Sequence, residues 1–131
     1  MNRNMSMYIA LCAPYMEADL ITNKICAHLP EETIRVDEYY NIADLLALPE
    51  QTVYDAVWVA LPGALGLEAV LAMRRESPCT PVVWMSEDRE FGMDSLNLDV
   101  AMFLMPDSHP ADFHIAVQNS RRFKERSCHR W

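Results

Sequence analysis

Short apolar runs alternate along this chain with segments in which apolar residues recur every three or four positions. Met7-Tyr8-Ile9-Ala10-Leu11-Cys12 is the first run, nearly all apolar, which predicts a strand covered on both faces. Met16, Ile21, Ile25, Cys26 and Leu29 follow near helical spacing, and Pro30 closes that helix. Thr33 to Asp37 alternates, as a strand nearer a sheet edge does. Asn41 is placed to cap a short helix through Leu45, Leu46 and Leu48, ending before Pro49.

Val53 to Leu61 is again continuous and apolar, with Trp58 and β-branched valines, and predicts a central strand. Leu67, Val70, Leu71 and Arg74 fit a helix that stops before Ser77-Pro78. Pro81 to Met85 is a fourth strand, 89–98 a weak helix, and Val100 to Met105 a fifth strand. The last helix starts near Ser108-His109-Pro110 and carries Phe113, Ala116, Val117 and Phe123 at helical spacing. Five βα units imply a parallel sheet with helices on both faces. The natural arrangement is the flavodoxin-like one, strand order 2-1-3-4-5. The domain is expected over 7–123, with 1–6 and 124–131 as flexible or frayed ends.

Composition narrows the chemistry. Only Gly63, Gly66 and Gly92 are glycines, too few for a Gly-rich phosphate loop. No apolar run reaches the roughly 18 residues of a membrane span, and the polar N-terminus lacks a secretory core, so a cytoplasmic location is expected. Cys12, Cys26, Cys79 and Cys128 show no C-x-x-C spacing and read as free thiols, the first two as small core residues. No metal and no cofactor are expected. The net charge is -8. Residues 121–131 hold five Lys or Arg against Glu125, a net of +4 that leaves -12 on 1–120. Such a body repels nucleic acid, and the basic end reads first as a solvated helix C-terminus.

Ligands of open parallel sheets bind beyond the carboxyl ends of the strands. The segments at those ends carry a resemblance. Met7 to Cys12 is similar to the first strand of receiver domains in LytTR-type bacterial response regulators. Tyr54-Asp55-Ala56-Val57-Trp58-Val59 and Pro62-Gly63-Ala64-Leu65-Gly66-Leu67-Glu68 resemble the third strand and the segment after it. Pro81 to Ser86 resembles the fourth strand, and Ala101 to Pro106 the fifth. The likeness covers roughly residues 7–123.

The resemblance implies a site of two acids, a nucleophilic aspartate, a Ser or Thr and a lysine, which take up a phosphoryl group with Mg²⁺. In this sequence the acidic pair falls on Ala13 and Pro14, or one residue either way on Cys12 or Tyr15, and the nucleophile on Ala60 or, counted back from Pro62, on Trp58. The lysine falls on Met105, and Ser86 alone keeps its type. The aromatic switch position falls on Met102, with Phe103 beside it. Simultaneous loss leaves no stranded buried charge. The expectation is a pseudo-receiver that is not an enzyme and acts as a protein-interaction module, through a protein partner or a homodimer. Its face is expected at Phe91, Met93, Leu96, Asn97, Met102 and Phe103. A DNA-linked regulator and a small flavodoxin-like ligand-binding protein or enzyme are the alternatives. Glu87 and Asp88 follow the fourth strand and read first as a solvated loop end. Asp55 reads as structural, and Trp58 and Trp84 as core.

Overall fold

The computed structural model describes residues 6–47 and 54–128, the side chains of 125–128 excepted. Five parallel strands form one sheet in the order β2-β1-β3-β4-β5, as the alternation of patterns predicts. They are β1 (Ser6–Cys12), β2 (Thr33–Tyr39), β3 (Ala56–Val59), β4 (Val82–Met85) and β5 (Met102–Leu104). The helices between and after them are α1 (Tyr15–His28), α2 (Ile42–Leu46), α3 (Gly63–Glu76), α4 (Phe91–Asn97) and α5 (Pro110–Cys128). Of the ends set apart from the domain, 1–5 and 129–131 lie outside the described residues, as does the segment 48–53, which includes Leu48, Pro49 and Val53. Ser6 already pairs with Thr33, and 124–128 continue α5.

Strand alternation divides the core into two layers. On one face Ile9, Leu11, Trp58 and Met85 meet Ala18 and Ile25 of α1 and Phe113, Ala116 and Val117 of α5. On the other, Ala10, Cys12, Val57, Val59 and Trp84 meet Leu45 of α2 and Val70 and Met73 of α3. Trp58 and Trp84 anchor opposite layers. Trp58 lies against Phe113, ring centroids 5.7 Å apart. Trp84 is stacked on Phe91 and edge-on to Phe103. Each fully buried large side chain contributes about 1.5–3 kcal/mol.

Local chemistry fixes the helix starts. The Asn41 side chain accepts from the Asp44 amide at 2.9 Å, capping α2 as its position predicts. Gly63 opens α3 at φ +56, a conformation that favours glycine. Gly66 sits where α3 crosses the end of β3: a Cβ there would lie 2.4 Å from the Leu61 carbonyl oxygen and 3.2 Å from Trp84 Nε1. That indole nitrogen is buried and has no hydrogen-bond partner among the described residues.

One expectation for the thiols is overturned. Cys12 is buried, but Cys26 is exposed, because the inward stripe of α1 runs through Ala18 and Ile25 and leaves Cys26 one residue around the helix. The outer layer on β1 and β2 is polar as well as apolar. Asp37 accepts from the hydroxyls of Tyr8 at 2.6 Å and Tyr54 at 2.9 Å. Tyr39 and Tyr54 hydroxyls are 2.6 Å apart.

Candidate functional site

The parallel register brings the strand ends level. Ala60 donates its amide to the Cys12 carbonyl at 2.8 Å, and Ser86 donates to the Leu104 carbonyl at 3.0 Å. Beyond these ends a crevice of about 320 Å³ opens between the strand tips and α1. Its floor comes from Ala60, Leu61 and Met85. Pro62 and Gly63 form one wall, and Ser86, Glu87 and Asp88 another, with Pro106 at the side.

The opposite wall is a single stripe of α1: Glu17, Leu20, Ile21 and Lys24. These are positions i, i+3, i+4 and i+7, which share one face of a helix. Lys24 Nζ donates to the main-chain carbonyl of Pro106 and so crosses from α1 to the segment after β5. The crevice therefore has one cation, held by a carbonyl, and three carboxylates, those of Glu17, Glu87 and Asp88. Asp88 Oδ1 accepts from the Glu90 amide at 3.0 Å, whereas Glu17 and Glu87 make no ion pair among the described residues.

Of the positions that the resemblance assigned to the phosphoryl site, Ala60 and Ser86 line this crevice. Trp58 belongs to β3 and the α5-side core, whereas Ala60 follows the strand and lines the crevice. Ala13 is fully buried at the end of β1, its amide donating to the Tyr39 carbonyl at 3.0 Å. Pro14 is the residue before α1, and Met105 is half-buried after β5, its amide held by Ser108 Oγ at 2.9 Å. Glu87 and Asp88 do reach the crevice. Glu17 and Lys24 come from a helix face, and strand-end reading missed them; the four-residue stripe on α1 is the signal that finds them. Among the described residues no three His, Cys, Asp or Glu side chains gather as a metal site.

The expected interaction face divides in two. Met93 and Leu96 are 71% and 77% exposed, and Asn97 is exposed beside them on α4. Phe91, Met102 and Phe103 are half-buried. Phe91 and Phe103 are drawn inward onto Trp84, and Met102 packs against the α5-side core. Asp55 is structural: its Oδ2 accepts from the Tyr8 amide at 2.8 Å, and its other oxygen lies 3.4 Å from Lys124 Nζ.

Burial and hydrogen bonding together set the titration of three groups around β1 and β2. Burial, aided by the charge of Asp44, pushes the Cys12 thiol up to about 11. For Asp37, burial works upward but is outweighed by the hydroxyls of Tyr8 and Tyr54 and by Arg35, which hold the carboxyl below its ordinary range. Burial, then hydrogen bonding to Tyr39 and Asp37, raises the Tyr54 phenol far above its ordinary range.

The sheet order, the crossovers and the crevice at the strand tips define a flavodoxin-like α/β fold. Within that class it is the receiver form that matches. A signal receiver domain of an HD domain-containing protein from Pseudomonas fluorescens Pf-5 superposes with a TM-score of 0.76 over 100% of this chain and 98% of its own, at 14% identity. A response regulator receiver domain protein from Clostridium thermocellum gives 0.71 over 91% and 97%, at 16% identity. A structure described as adenylate cyclase from Rhodopirellula baltica gives 0.71 over 96% and 93%, at 17% identity. No family model matches the chain, and no curated protein matches it in sequence.

Proposed function

We propose that this chain is a signalling module of receiver fold that works without taking up a phosphoryl group. The observation that carries the reading is the chemistry of the strand tips: Ala13, Ala60 and Met105 follow β1, β3 and β5. Phosphoryl transfer to a protein needs a nucleophile and groups that neutralise charge. An alanine methyl at the tip of β3 offers no nucleophile. A methionine thioether after β5 offers no cation, and Lys24, the cation that does reach the crevice, is turned to the Pro106 carbonyl.

With no phosphate input, the output surface is held by packing. The Trp84, Phe91 and Phe103 rings fasten α4 and β5 to the core. That leaves Met93 and Leu96 presented outward, suited to an apolar contact with a protein partner or a second copy. DNA is a poorer fit. Arg121 is paired with Glu32 at 2.9 Å and Lys124 with Asp55, so two of the five basic residues beyond position 120 are already engaged with the acidic body.

Intact mass after treatment with acetyl phosphate and Mg²⁺ tests the first half of the reading. The mass is expected to stay unchanged, and a gain of one phosphoryl group would overturn it. Sedimentation of wild type and Leu96→Lys tests the second half. A wild-type dimer that the lysine dissociates supports a self-paired face, and a dimer indifferent to the lysine removes α4 from it.

A further inference from the structure

The strand-tip crevice has a specific lining. Resting on that reading of the strand tips, we infer that it binds a small organic amine: an ammonium group on an apolar body, with an acceptor oxygen nearby.

Size comes first. The cavity of about 320 Å³ falls at the lower end of the range for small-molecule sites, about 300–1,000 Å³. Ile21, Leu61 and Met85 supply an apolar bed, which excludes a bare hydrated ion as the preferred occupant and favours a body with carbon surface.

Charge decides the sign. Glu17, Glu87 and Asp88 face the cavity against Lys24 alone. Glu17 and Glu87 have no ion-pair partner among the described residues. An anion entering here meets a net negative rim, and a cation meets carboxylates free to receive it.

The third observation is independent of both. Ser86 is more than nine-tenths buried, yet it lines the cavity. Its oxygen accepts from the Asp88 amide at 3.0 Å, and its own hydroxyl proton finds no acceptor among the described residues. That hydroxyl proton is available to the cavity, and an oxygen on the occupant can accept it in place of water. One ligand class answers all three demands: the amino alcohols and related amines that carry a hydrophobic group.

Three compounds with the same phenylpropyl body separate the alternatives: L-phenylalaninol as the amine, 3-phenylpropan-1-ol as its neutral counterpart, and 3-phenylpropanoate as the anion. Titration by calorimetry, with amide NMR shifts to locate the site, is expected to show saturable binding of the amine at residues 85–88 and on the 17–24 face of α1. The neutral alcohol should bind about tenfold more weakly, and the anion not at all. The double variant Glu17→Gln, Glu87→Gln changes two exposed side chains without ion pairs, so its fold is expected to survive. It should weaken the amine about tenfold and leave the alcohol unchanged. Ser86→Ala should weaken both alcohols together. No saturation by the amine, equal binding of all three compounds, or shifts confined to another surface overturns the inference. Intact mass after acetyl phosphate on the same preparation keeps the two readings apart. An unmodified protein that ignores the amine defeats the ligand alone, and a phosphorylated one defeats the reading of the strand tips.

Discussion

Phe91 of α4 lies stacked on Trp84 of β4, ring centroids 5.1 Å apart and planes 26° from parallel. α4 is only seven residues long, its N-cap residue Glu90 makes no side-chain capping bond, and Ser95 is its buried residue. A helix that short does not hold itself in water. The aromatic stack therefore does much of the work of keeping α4 on the sheet.

Phe91→Ala is expected to destabilise the domain by about 1–3 kcal/mol, the ring being half-buried and its stack adding to its burial. Denaturant melts check the magnitude. Hydrogen exchange should show the loss concentrated in α4, while β1 and β3 keep their protection.

The Asp37 carboxylate predicts an acid limb of stability. Its folded pKa lies below the ordinary aspartate value of about 3.9, so its contribution is complete above that value and is lost as pH falls through the folded one. Asp37→Asn should lower the melting temperature at pH 7, where it deprives Tyr8 and Tyr54 of a charged acceptor. It should also flatten the decline of melting temperature below about pH 4. A variant with an unchanged acid limb would show that the two tyrosine hydrogen bonds do not set it.

Gly66→Ala tests the close approach of α3 to the end of β3. Alanine suits a helix interior better than glycine by about 1 kcal/mol, so propensity alone predicts a gain. The Cβ would meet the Leu61 main-chain oxygen at 2.4 Å, and backbone cannot swing aside as a side chain can. The expected outcome is a net loss of about 1–3 kcal/mol, read by denaturant melts, with NMR shifts in the Leu61–Gly63 wall of the crevice.

Much of the fold was legible because its signals are local. Ile9 to Cys12, Val57 to Val59 and Val82 to Met85 are covered on both sides, and continuous apolar runs say so directly. The ends of strands were less legible. β5 shrinks from the expected Val100–Met105 to Met102–Leu104 because its ladder to β4 spans only Val83, Trp84 and Met85. α1 misleads by composition: Met16 joins an apolar pattern yet is 84% exposed, since the buried stripe is fixed by Ala18 and Ile25. The site was legible where loops leave strands, at Ala60 and Ser86. It was hidden where distant elements meet, as Lys24 and Pro106 do across 82 positions. The packing of Phe91 and Phe103 was hidden for the same reason: only the fold brings Trp84 beneath them.

The attachment of α5 has a consequence for how the chain is made. Phe113 closes over Trp58 and against His28, Arg121 clasps Glu32, and Lys124 reaches Asp55. Every one of these partners leaves the ribosome before α5 does. Until that helix emerges, the part of this face of β1, β3 and β4 that α1 does not cover is an open apolar surface, so the nascent sheet is exposed to wrong partners while its earlier residues wait. Its exposure ends only when the fifth helix arrives, so an element made after the whole sheet is the one that seals its first strand.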